Sequence, residues 1–154
     1  KKAILISILV GAIFSATWFA GAAELSVQQQ LQPILNEMTT AAKAHDTDRF
    51  MAVYLHQPSL VFVFDGKVIH GWDKLREQQL KWWRHGKTDV VYTQNGPVEF
   101  TQLSRDAVVT TQSMSSRRTL SDGKISTGSF VVTDGWQKLP QGWRIVYAHE
   151  SWAH

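Results

Sequence analysis

The sequence predicts an α+β fold in which three N-terminal helices lie on the concave face of a cone-shaped, curved antiparallel sheet. Three observations carry this. Apolar residues recur at helical spacing up to about residue 84, and from Thr88 onward the chain reads as long strands separated by turn signals. The length, 154 residues, suits one ordinary domain with a real core and not two. Helices followed by an antiparallel meander pack on one face of the sheet, and long strands curl, which leaves a conical cavity between the layers.

Residues 1–23 stand apart from that domain. Lys1 and Lys2 give a basic start, Ala3 to Ala20 is rich in apolar residues and uncharged, and Ala20-Gly21-Ala22-Ala23 is a run of small residues. This is the layout of a secretory signal peptide, with cleavage before Ala23 or Glu24. It predicts a domain over residues 24–154 that works in the periplasm or outside the cell. Left uncleaved, the uncharged run of about 21 residues is long enough to span a bilayer, and this is the only membrane attachment expected. With no cysteine in the sequence, a lipid-anchored lipoprotein is excluded.

Val27, Leu31, Leu35, Met38 and Ala42 predict an amphipathic helix from about Ser26 to Ala44. Pro33 removes one backbone donor inside it, which predicts a kink or a helix that starts near Gln32. His45-Asp46-Thr47-Asp48 offers an N-cap for a second, short helix carrying Phe50, Val53 and Tyr54, closed by Pro58. Ser59 to Phe64, Asp65-Gly66 and Lys67 to His70 read as a hairpin with a tight turn. A third helix follows from Asp73 to Arg84, with Leu75, Gln79 and either Trp82 or Trp83 turned inward. Four strands complete the chain: Thr88–Gln102, bent at Asn95-Gly96-Pro97; Ala107–Leu120; Ile125–Lys138; and Trp143–Trp152.

Composition removes several function classes. Apolar residues make up 44% and charged residues 19%, a soluble globular balance rather than a disordered or wholly membrane-embedded one. The absence of cysteine excludes a thiol nucleophile, a redox pair and a thiolate metal site. Six histidines without ligand spacing predict no metal, and nothing in the chain implies a cofactor. Without Lys1 and Lys2, 14 basic residues face 13 acidic ones and no dense basic stripe remains, so no nucleic-acid partner is expected. Seven tryptophans are many for this length, and aromatic rings commonly line apolar pockets.

Residues 45–78, HDTDRFMAVYLHQPSLVFVFDGKVIHGWDKLREQ, resemble the helix–hairpin–helix opening of nuclear transport factor 2-like proteins, in particular the SnoaL-like branch. Residues 128–151, GSFVVTDGWQKLPQGWRIVYAHES, resemble that branch's last two strands, with Trp143, His149 and Ser151 on its tryptophan and His-x-Ser positions. The resemblance spans about residues 26–152. It implies a cone-shaped roll (also described as cystatin-like), a homodimer formed through the sheet's outer face, and a pocket that different members use for isomerisation, cyclisation, dehydration, binding or assembly. Fold therefore does not settle function. Two family sites do not carry over. The strand Ser59–Phe64 has no acid where ketosteroid isomerase-like proteins place their general base; the nearest is Asp65, in the turn. The arginine that precedes a tryptophan in calmodulin-dependent kinase II association domains is replaced by Asp134, two residues before Trp136.

A two-residue turn at Asp122-Gly123 and a four-residue loop at Leu139–Gly142 set a register in which Asp134 lies opposite Thr111 and Tyr147, diagonal to His149. The predicted inner face then carries Thr111, Asp134, Trp136, Trp143, Tyr147, His149 and Ser151, while Glu150 and Trp152 face outward. A carboxylate that orients an imidazole builds a general base, with Tyr147 or Thr111 positioned to donate to an oxyanion. The same group also reads, more simply, as a self-satisfied polar network, and that reading comes first. Candidate catalytic residues are therefore His149, Asp134 and Tyr147. Candidate ligand-binding residues are Thr111, Trp136, Trp143, Ser151, Tyr54 and Trp82. The first expectation is an exported binding or accessory protein for a small apolar or aromatic molecule. The alternatives are a cofactor-independent lyase, isomerase or hydrolase, and a homodimeric assembly module.

Overall fold

The computed structural model describes residues 24–153, so the predicted leader lies outside the described residues. The first helix, α1 (Val27–Ala44), opens with a reciprocal capping box: the Ser26 side chain accepts from the Gln29 backbone N–H, and the Gln29 side chain accepts from that of Ser26. Pro33 neither starts nor ends it. The proline sits on the exposed side, and Leu31, Leu35, Met38 and Ala41 form the buried stripe. Helix α2 (Thr47–Met51) is capped by Asp46, whose side chain accepts from Arg49 N. It stops before Val53 and Tyr54 because the backbone there is claimed by the sheet. Leu55 N donates to Ile145 O at 2.8 Å, and Ile145 N to Val53 O at 2.9 Å.

The hairpin β1 (Val61–Phe64) and β2 (Lys67–His70) closes with Phe64 opposite Lys67. Asp65 and Gly66 both have positive φ, as a two-residue turn of this hand requires. Helix α3 (Trp72–Trp82) buries Leu75 and Gln79 and ends in a single 3₁₀ turn, Arg84–Gly86. The predicted bent strand is two strands, β3 (Val91–Gln94) and β4 (Glu99–Ser104), broken at Asn95-Gly96-Pro97. Both pair with β5 (Ala107–Thr119). Strands β6 (Ile125–Leu139) and β7 (Gly142–Trp152) complete the sheet.

The seven-stranded sheet runs β2-β1-β7-β6-β5-β3, with β4 beside β3's partner β5. It is mixed rather than wholly antiparallel, as β1 lies parallel to β7. Ahead of β1, Tyr54 already bridges in parallel to Ile145 of β7. One cluster joins the layers: Leu31, Leu35 and Met38 of α1 and Leu75 of α3 meet Val108, Trp136, Trp143, Ile145 and Ala148 of the sheet.

Two registers differ from the sequence expectation, each for a local reason. Thr119 pairs with Ile125 and Leu120 N donates to Lys124 O, so the β5–β6 loop is Ser121-Asp122-Gly123. A three-residue loop with glycine in the left-handed conformation, here Gly123 at φ 81°, is the next commonest hairpin after two residues. It sets Asp134 opposite Thr110 and moves Thr111 to the outer face, opposite Thr133. Between β6 and β7 the expected register holds from Lys138–Trp143 to Trp136–Ile145. It then shifts: Gly135 pairs with Tyr147 and Val146 is the extra residue of a β-bulge.

Candidate functional site

Past the bulge, β7 presents the opposite set of side chains. Trp143 and Ile145 point into the core, and so does Ala148, followed on the same face by Glu150 and Trp152. Tyr147 is 41% exposed, Ser151 is exposed, and His149 stands between Val63 and Thr133 on the outer face. The predicted grouping of Asp134 with Tyr147 and His149 is therefore corrected. Strand alternation reverses at Val146, and the side chain diagonal to Asp134 on the concave face is Glu150. Thr111 and Ser151 leave the predicted pocket for the same reasons.

Between sheet and helices lies a cavity of about 530 Å³. Helix α1 supplies Leu35, Met38 and Ala42; the far side is walled by Met114, Phe130 and Val132. Of the predicted site residues, Asp134, Tyr54 and Trp82 line it. Trp136 and Trp143 are buried but lie outside the lining. The indole N–H of Trp136 donates to Thr110 Oγ1 at 2.9 Å, and that of Trp143 to Gln30 Oε1 at 3.0 Å. Both are core residues tied down by their polar ends.

Trp82 and Trp83 both contribute, contrary to the expectation that only one turns inward. Trp82 is the last residue of α3 and Trp83 its C-cap, where the backbone leaves the helix, so the two rings diverge. Trp82 packs on Phe62 and Phe64, and Trp83, 1% exposed, meets Phe50 edge-on at 5.0 Å between centroids. The Trp83 N–H donates to the Tyr92 hydroxyl at 3.2 Å, which fixes a second phenol in the wall. At the other end Trp152 stacks on Phe130 with centroids 4.2 Å apart, and its N–H donates to a Glu150 oxygen at 3.3 Å.

Asp134 is the polar centre of this wall. It is 1% exposed, and its Oδ1 is fully buried with no hydrogen-bond partner among the described residues. Burial pushes its carboxyl up to about 7, and the nearby Glu150 charge adds to the shift. Glu150, partly buried, is pushed up to about 7 by desolvation, with the Trp152 N–H pulling the other way. The Tyr54 phenol is raised well above its usual value by burial first, then by Asp134 and Glu150. Two carboxyl groups are thus poised near neutrality in an aromatic cavity, a setting suited to holding a polar group or exchanging a proton.

Glu150, Tyr92 and Trp152 line the cavity and were missed by the sequence reading, while Phe130 and Trp83 were inward-facing options not named as ligand-binding candidates. The available signal was Gly135. A glycine in mid-strand marks a bulge or a close approach, and Gly135 lies opposite Tyr147 at the bulge itself. Among the described residues no cluster of histidine and carboxylate side chains has metal-binding geometry.

Solved structures share the fold. A nuclear transport factor 2-like protein of unknown function from Shewanella oneidensis MR-1 is 23% identical, at TM-score 0.65 over 80% of this chain and 98% of its own. A nuclear transport factor 2-like superfamily protein from Salmonella enterica serovar Typhimurium LT2 is 20% identical, at TM-score 0.70 over 84% and 94%. A ketosteroid isomerase-like protein from Erwinia carotovora atroseptica is 18% identical, at TM-score 0.67 over 84% and 99%. At such identities the likeness establishes the architecture alone. No curated protein matches the chain. The SnoaL-like domain profile matches residues 31–154, which takes in the α1 core stripe, the whole sheet and every residue of the cavity wall named above. By that match the chain belongs to the SnoaL-like domain family.

Proposed function

We propose that the protein binds a small, largely apolar molecule in the cavity between sheet and helices, holding its one polar group at Asp134. The observation that carries this is the combination of a ligand-sized space with a buried carboxyl oxygen that has no partner among the described residues. Cavities of several hundred Å³ with aromatic walls and a few converging polar groups are the usual form of small-molecule sites. A buried acceptor without a partner costs about 1–3 kcal/mol, which a ligand donor would recover. The leader-like residues 1–23 support a periplasmic or secreted setting for this activity.

The neutral fluorophore N-phenyl-1-naphthylamine tests the reading. It should brighten on mixing with the protein and quench the emission of Trp82 and Trp83. Val132→Trp, which fills the cavity from β6, should abolish that signal. Probe binding that survives a folded Val132→Trp variant would sink the proposal. Native mass spectrometry of the freshly purified protein supplies the second readout, a retained small molecule that the same variant loses.

A second reading, cofactor-independent proton transfer on the bound molecule, is favoured by one observation. Burial pushes the Asp134 carboxyl up to about 7, toward the range in which a general acid or base is most effective. Turnover lost in Asp134→Asn with ligand binding retained would support it; binding without turnover in the unaltered protein would leave the binding role.

A further inference from the structure

We propose that the cavity selects an organic cation, with a protonated amine seated between Asp134 and Glu150 and the aromatic rings around them. This rests on the pocket reading above and adds the charge class of the ligand.

The two carboxyl groups share the concave face on neighbouring strands, two residues apart in register, and Asp134 Oδ1 is fully buried without a partner among the described residues. The segment after α2 contributes the Tyr54 phenol, β3 the Tyr92 phenol and α3 the uncharged Gln79; α1 presents Leu35, Met38 and Thr39. The β1–β2 turn adds a third carboxyl group, Asp65, to the lining. Among the described lining residues the single cation is Arg118. It pairs with Ser126, eight residues from Asp134 along β6, or roughly 25 Å at the usual strand rise. It stands toward the other end of the cavity, where its charge reaches the Tyr92 phenol, and it is not among the causes that shift either acid.

The surroundings of the pair are those that favour a cation. Tyr54, Tyr92, Trp83, Phe130 and Trp152 stand along the same wall, and a cation over the face of an aromatic ring gains from its quadrupole most where water is excluded. Two desolvated acids side by side resist ionising together unless a positive charge joins them. A neutral hydroxyl group satisfies one oxygen and leaves the second acid uncompensated, and an anion meets two like charges. An ammonium group answers both acids and donates to the orphaned oxygen through a charge-assisted bond. The apolar wall beyond takes the rest of the molecule.

The test compares 4-phenylbutylamine, 4-phenylbutanol and 4-phenylbutyrate, three probes of one shape that differ in charge. At pH 8 the amine should bind at least about tenfold more tightly than the alcohol, a difference of ~1.4 kcal/mol, and the carboxylate most weakly. The Asp134→Asn, Glu150→Gln double variant should lose the preference while keeping affinity for the alcohol. The unaltered protein gives an independent readout. The amine stays protonated from pH 8 to pH 5, so its advantage should shrink across that range as the acids take up protons, and calorimetry at pH 7 should show proton release with the amine alone. Equal or tighter binding of the alcohol at pH 8 would overturn the charge assignment and leave the pocket standing. Failure of all three probes to bind would remove both.

Discussion

Asp134 on β6 and Glu150 on β7 occupy diagonal positions on the concave face, Asp134 opposite Ala148 and Glu150 opposite Val132. A single extra residue, Val146, creates this relationship. Without it the same strand would bring Tyr147 and His149 to the cavity and turn Glu150 outward. The cost of holding two acids in one apolar wall appears in their raised protonation equilibria, and each feels the field of the same small neighbourhood.

That cost makes stability depend on pH with a definite sign. The two acids have ordinary values of 3.8 and 4.5 and are pushed up to about 7 in the folded chain. Between pH 4 and 7 the native state therefore holds protons that the unfolded state has released, and stability falls as pH rises. Above about 8 the slope vanishes. Melting temperature should be higher at pH 5 than at pH 8, by an amount reflecting a few kcal/mol at most. Asp134→Asn should flatten the profile and raise the melting temperature at pH 8. A profile that rises between pH 5 and 8, unchanged in the variant, would refute the burial of this acid.

His149 gives the opposite expectation. Its ring lies on the outer face between Val63 and Thr133, away from the cavity lining. His149→Ala should leave probe binding within twofold of the unaltered protein and change stability by less than about 1 kcal/mol. Asp134→Asn should alter the affinity for any ligand with a polar donor. Fluorescence titration of both variants with the same probe decides between the two residues.

The helices and the hairpin were legible because their signals are local. Ser26 with Gln29 caps α1, Asp46 caps α2, and Asp65-Gly66 permits one tight turn. Asp134 was legible as inward-facing because alternation is reliable over short stretches of uninterrupted strand, whereas Tyr54 and Trp82 were named from predicted helices. What failed was propagation of register. One residue more in the Ser121–Gly123 loop displaced Thr111, and the bulge at Val146 displaced Tyr147, His149 and Ser151. Each error is a single-residue slip, and a slip by one exchanges the two faces of a strand completely. The parallel pairing of β1 with β7 was illegible for another reason: it joins segments some eighty residues apart, with no local signal at either.

Gly128 should prove sensitive to the smallest substitution. A methyl group there would lie 2.8 Å from Trp152 Cζ3 and 3.2 Å from Cε3, closer than carbon atoms approach without something moving. Trp152 is held by its stack on Phe130, so Gly128→Ala should push the indole off that ring and away from Glu150. The expected cost is about 1–3 kcal/mol in thermal unfolding, with a weaker near-ultraviolet circular dichroism signal from the stacked rings. Since both rings wall the cavity, probe affinity should fall as well. An alanine variant with unchanged spectra would mean that Trp152 does not cover this glycine in solution.

Trp143 separates core from site. Its indole N–H shares the Gln30 amide oxygen with Lys138 Nζ, at 3.0 and 3.1 Å, and this ties β6 and β7 to the first turns of α1. Trp143→Phe keeps a ring in the core but removes the donor and leaves a small void. Loss of one such hydrogen bond costs about 0.5–1.5 kcal/mol, and the void adds to it. Trp143 lies outside the cavity lining, so ligand affinity measured below the melting transition should not change. A variant with full stability and reduced binding would reverse the assignment, placing Trp143 in the site and its hydrogen bond in a lesser role.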